Sequence, residues 1–142
     1  MGLDNGIVLY TLDEVKVPSE LEIRFRTWND ERYSQFEYSY DICYWRKCWN
    51  VRRQIMNRCG IKNENDPDGI YLLDIDQVKQ IWTAINYLNK KKIWDVKEDD
   101  SIWTYKEMRD HLDYDLLALE WLIHFMRNHD PKTYRVIFYD SY

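Results

Sequence analysis

Apolar and polar positions alternate near both ends of this chain. Ile7 to Leu12 is apolar and β-branched enough for a first strand. Glu20 to Trp28 alternates strictly, with Leu21, Ile23 and Phe25 on one side and Glu22, Arg24 and Arg26 on the other. That period of two predicts a half-buried strand, and Pro18 suits the approach to it. Thr133 to Tyr139 reads as a final strand. Tyr33 to Tyr40 is aromatic and polar and fits neither period.

The middle of the chain carries the helical period. Asp41 to Cys59 is predicted as one helix, with Asp41 as its N-cap or first-turn acid and Gly60 just past its end. Asn63 to Gly69 is a loop signal, and Ile70 to Leu73 a short strand. Asp74 with Gln77 makes a capping box. It opens a helix whose stripe is Ile75, Val78, Ile81, Trp82, Ile85 and Leu88. Lys90 to Lys92 stand at its C-terminal end, where positive charge suits the helix dipole. The acidic run Asp95 to Asp100 is expected to be exposed. Thr104 caps a short helix to about Leu112, and a longer one follows to about Asn128. The longer stripe is Leu112, Leu116, Leu119, Leu122, Ile123 and Met126, and Pro131 stops it. Strands at both ends with helices between them predict a single α+β domain over residues 1–142: a small antiparallel sheet packed by three to four helices. An all-α bundle with short terminal hairpins is the alternative.

Composition narrows the class. Hydrophobic residues are 45% and charged residues 32%, which suits a globular chain rather than a disordered one. A net charge of −5 argues against direct nucleic-acid binding by bulk electrostatics. No apolar run approaches the ~18 residues that cross a bilayer, and no signal peptide opens the chain. Gly6 stands where N-myristoylation wants Ser or Thr. The cysteines are three, Cys43, Cys48 and Cys59, with no CxxC. Reduced thiols of a cytoplasmic protein fit this better than a disulfide framework. His111, His124 and His129 lack zinc-ligand spacing, so neither a metal nor a cofactor is predicted.

No GxGxxG, P-loop, HExxH or GxSxG occurs. The pairs Asp113/Asp115 and Asp74/Asp76 are spaced i, i+2 and do not share a helix face, so they read as first-turn acids. The predicted central helix is more informative. Ile42 to Lys62 contains no Asp or Glu, and holds Arg46, Lys47, Arg52, Arg53, Arg58 and Lys62. At about 100° per residue the apolar arc is Tyr44, Trp45, Cys48, Trp49, Val51, Ile55, Met56 and Cys59. Arg46, Lys47, Arg53 and Arg58 fall opposite, either as a basic patch for phosphates, nucleotides or an acidic partner, or as a solvated face. The candidate binding set is Arg46, Lys47, Arg52 and Arg53 with Trp45 and Trp49.

Arg52 falls inside the apolar arc, between Trp45, Trp49 and Met56. A guanidinium there cannot lose its proton and needs an anion. Three outcomes stand open: an internal carboxylate, with Asp115 as the expected partner because it too lies in an apolar arc; an external anion; or a snorkelling side chain stacked on Trp45 or Trp49.

The opening Met1-Gly2-Leu3-Asp4, together with Tyr44-Trp45-Arg46-Lys47, resembles a family of small uncharacterised bacteriophage proteins with a central Tyr-Trp-Arg-Lys helix motif and an aromatic-rich C-terminal strand, here Tyr134 to Tyr142. The chain departs from that pattern at Cys48-Trp49 and at Arg52, where the family has a small residue with Asn and then His. The resemblance implies a phage accessory protein in the host cytoplasm. A protein of that origin is expected to be non-enzymatic, an anti-defence inhibitor that binds a host protein such as a CRISPR or other immune effector, and the net charge of −5 favours this over an anionic ligand. A sponge for an anionic signalling nucleotide is the alternative, and a nucleotide-directed enzyme the third. Exposed tryptophans such as Trp28 or Trp103 would equally serve a homo-oligomer.

Overall fold

The strand periods at the two ends of the chain are satisfied by each other. β1 (Asp4–Thr11) and β5 (Tyr134–Ser141) pair antiparallel, from Asp4↔Ser141 to Thr11↔Tyr134. The computed structural model describes residues 3–26, 30–62, 69–95 and 103–141. Trp28, most of the expected loop (63–68) and residues 96–100 of the acidic run lie outside these. β3 (Tyr38–Arg46) flanks β1 on its other side; β2 (Arg24–Phe25) adds to β3, and β4 (Ile70–Leu72) to β5. The strand order is β2-β3-β1-β5-β4, with every pair antiparallel.

Three helices pack on one face: α1 (Trp49–Cys59), α2 (Ile75–Lys91) and α3 (Tyr105–Arg127). Ile7 and Leu9 of β1, with Val136 and Phe138 of β5, join the helix stripes in the main core. Val8, Tyr10 and Ile137, the residues between them, form a second, smaller core on the other face with Phe36. The fold is α+β, as the element pattern implies, and a central β1 paired on both sides excludes the all-α bundle. No helix of the described residues is long and apolar enough to cross a membrane.

α2 begins at the expected capping box, Asp74 with Gln77. The short and long helices expected after Thr104 are one helix, because nothing between Leu112 and Asp113 breaks it; Thr104 and Glu107 cap its start. Among the described residues, the strand expected over Glu20–Trp28 pairs with β3 at Arg24–Phe25, and the Arg26 N–H bonds the Ser39 carbonyl at 2.9 Å. There Phe25 packs its ring on Tyr40, centroids 5.0 Å apart, at the margin of the sheet.

The helix expected from Asp41 begins only at Trp49. Tyr38 to Arg46 is a strand with one extra residue, since Ile7 pairs with Cys43 but Val8 with Asp41. This bulge puts Tyr40, Ile42, Cys43 and Trp45 all toward the helices. The break in alternation hides the strand, and the same residues fall on a helical arc. Lys47, at φ 57, then turns the chain toward α1. Asp41 caps no helix; it pairs with Arg26 at 2.9 Å.

Cys48 offers no side-chain cap to α1. Asp95 supplies one from a distant part of the chain. Its Oδ1 accepts from the Asn50 N–H at 2.8 Å and its Oδ2 from the Val51 N–H at 3.4 Å. It is buried, not exposed as expected, because its charge answers the free N–H groups and the dipole of α1. Asp95→Ala is therefore expected to lower stability by about 1–2 kcal/mol, with Asp95→Asn losing less. Urea denaturation of the two variants measures this, and an unchanged midpoint for Asp95→Ala would show that the cap contributes nothing.

Candidate functional site

The strand, turn and helix from Tyr44 to Arg53 divide the predicted binding residues between surface and interior. Arg46 is exposed on the sheet face away from the helices, directly across from Asp4. Lys47 is half-buried in the turn, its N–H bonded to the Leu3 carbonyl at 2.8 Å. Trp49 is 43% exposed at the start of α1. Arg53 is exposed one turn later and reaches Asn50 Oδ1 at 3.3 Å. Trp45 and Arg52 do not join them on the surface; both are anchored inside.

Arg52 meets a carboxylate, but not Asp115. Its Nε lies 2.8 Å from Asp140 Oδ1 and its second terminal nitrogen 2.9 Å from Oδ2, a two-pronged bond. Asn5 Nδ2 donates to the same Oδ1 at 2.7 Å. The guanidinium also stands over the Trp49 ring, 5.9 Å from its centre. Asp140 continues the helix-facing series Tyr134, Val136 and Phe138 of β5, which brings it under α1. Asp115 sits elsewhere, on α3.

Asp115 is fully buried. Its Oδ2 accepts from Trp45 Nε1 at 2.6 Å, and its Oδ1 lies 3.5 Å from His111 Nδ1. His111 Nε2 is 2.8 Å from the Tyr44 carbonyl, which can only accept, so Nε2 carries a proton. Burial pushes the Asp115 carboxyl up to about 6, against the opposing pull of His111 and the bonds from Trp45 and Cys43. Trp103 packs on His111, centroids 5.0 Å apart, and donates to the Arg46 carbonyl at 2.8 Å. Trp45 is thus the bolt between β3 and α3, not a stacking platform. Burial also holds the thiols of Cys43 and Cys48 well above their usual range and lifts Cys59 to about 11.

A recess of about 370 Å³ opens on the sheet face away from the helices, bounded by Asp4, Arg26, Asp30, Tyr44, Ile137 and Tyr139. The Tyr139 ring lies across Gly6, so that a Cβ at that position would stand 2.5 Å from the ring. Arg26 covers Tyr139, 4.9 Å from its centre, while bonding Asp41. Tyr44 is 46% exposed and donates its hydroxyl to Asp4 Oδ1 at 2.5 Å. Burial, reinforced for Tyr44 by Asp4, pushes the Tyr44 and Tyr139 phenols up to about 12, so both stay protonated. Sequence reasoning missed Asp4, Arg26 and Tyr139, because only the sheet register brings them together. Among the described residues no group of His, Cys, Asp and Glu is placed to hold a metal ion.

No family model, curated protein or solved structure matches the chain.

Two stability measurements test these anchors. Arg52→Ala strands Asp140 in the interior and is expected to cost about 3 kcal/mol, near the low end for a broken buried pair because Arg52 keeps some exposure. Asp115 makes a pH prediction. A carboxyl whose folded pKa is raised is at its best below its unfolded value of 3.8, and loses that advantage as pH climbs through about 6. Asp115→Asn, which keeps an acceptor for Trp45, should gain about 3 kcal/mol relative to the native chain between pH 4 and 7. Chemical denaturation across that range measures the difference, and parallel profiles would contradict it.

Proposed function

We propose that this chain is a non-enzymatic binding protein that engages another protein through the surface around the Lys47 turn. The phage resemblance of Met1–Asp4 and Tyr44–Lys47 makes a host defence effector, such as a CRISPR nuclease, the favoured partner, in the cytoplasm of an infected cell. The observation that carries the proposal is the exposure of two large aromatics, Tyr44 at 46% and Trp49 at 43%, flanking Arg46 and Lys47 in the chain. Tyr, Trp and Arg are the side chains that most often anchor protein interfaces. The net charge of −5 favours a basic partner.

The nucleotide sponge ranks second. Arg52 already has its anion in Asp140, and the recess beside Tyr44 carries Asp4 and Asp30, which repel phosphate. An enzyme ranks third, since the buried thiols are held protonated and both His111 nitrogens face groups of the protein itself.

Affinity capture from lysate of a bacterial host, with the native chain and with Trp49→Ala and Tyr44→Ala, tests the proposal. A defined host protein should be retained by the native chain and bound at least about tenfold more weakly by Trp49→Ala, with the variant still folded by far-UV circular dichroism at the temperature of the capture. Nucleotides should leave the melting temperature where it is. Thermal stabilisation by a nucleotide, with no protein captured, would decide for the sponge instead.

A further inference from the structure

On the face of the sheet away from the helices, the manner in which one guanidinium is held is instructive. Arg26 lies over the Tyr139 ring, 4.9 Å from its centre, and bonds the Asp41 carboxylate at 2.9 Å. A cation over a tyrosine ring that also bonds a carboxylate suits guanidinium better than ammonium. Tyr44 and Asp4 repeat the same pair of side chains within the same recess. The Tyr44 hydroxyl is bonded to Asp4 Oδ1, which leaves the ring face and Oδ2. Among the described residues no cation stacks on Tyr44 and no ion pair reaches Asp4.

We infer that the Tyr44–Asp4 end of the recess receives an arginine side chain of the protein partner, its guanidinium flat on the Tyr44 ring and bonded to Asp4; this rests on the docking surface proposed above. Phosphate is disfavoured there by Asp4 and Asp30. Lysine fits less well, because a compact ammonium neither stacks nor bonds in a fork. Arg46, directly across from Asp4 in the register and unengaged by Asp4, is a like charge beside the site and weakens it. Its removal therefore has a defined sign.

The test is an amide NMR titration of the full chain with the tripeptide acetyl-Gly-Arg-Gly-amide and its lysine and citrulline counterparts. The arginine peptide should shift the amides of Asp4, Gly6 and Tyr44 saturably, the lysine peptide less, and the uncharged citrulline peptide not at all. Asp4→Asn should weaken the arginine peptide about tenfold, the worth of one bond to a charged group. Arg46→Ala, an exposed change that leaves the core alone, should tighten it. Equal response to citrulline, indifference to Asp4→Asn, or shifts centred elsewhere would overturn the inference. If that happens while host-protein capture still depends on Trp49, only the arginine site fails; if capture fails too, the docking surface falls with it.

Discussion

Charge cannot leave water without a partner, and two of the three buried carboxylates among the described residues, Asp140 and Asp115, stand between a helix and a strand of this sheet. Each ties a different helix to a different strand. Asp140, at the end of β5, takes Arg52 and so fixes α1 over the sheet. Asp115, on α3, takes the indole N–H of Trp45 and faces His111, which itself holds the Tyr44 carbonyl. The two anchors stand on either side of the Lys47 turn, one before it in the chain and one after. Between them buried and exposed residues interleave: Tyr44 outside, Trp45 inside, Arg46 outside, Cys48 inside, Trp49 outside. The exposed side chains are thereby presented from a backbone that has little freedom left to lose, the condition that lowers the entropic cost of binding.

Much of the architecture could be read from residue patterns, wherever one period ran uninterrupted. α2 is the clearest case, because its stripe, its capping box and its terminal lysines all agree. β3 could not be read that way. Its single extra residue near Ile42 breaks the period of two, and what remains imitates a helix as far back as Asp41. The candidate site suffered for the same reason. A helical projection places Trp45 and Arg52 in one arc and Arg46 opposite, whereas the strand turns Arg46 to one face of the sheet and Trp45 to the other. That Arg52 needed a carboxylate followed from chemistry alone. That the carboxylate is Asp140 required the register of β5, in which every second residue from Tyr134 lies under the helices. Asp4, Arg26 and Tyr139 are far apart in the chain, and only strand pairing assembles them.

The surface that results is mixed in sign, with aromatic side chains set among arginines and aspartates. Under the proposed reading, such a surface suits directional contacts to a folded partner better than the capture of small anions. Burial keeps the thiols of Cys43 and Cys48 protonated, and His111 stands between the Tyr44 carbonyl and the Asp115 carboxyl.

Gly6 has an effect out of proportion to its size. It lies in the central strand, yet its missing side chain is what lets the Tyr139 ring lie down across β1 and lets Arg26 lie over that ring in turn. One methyl group at this position would lift the phenol and dislodge the guanidinium stacked on it. The methyl group would point away from the helix-side core, which lies on the opposite face of the strand. The shape of the outer face is therefore set from beneath, and a lineage carrying this fold has one position at which to remodel that face without rebuilding the scaffold.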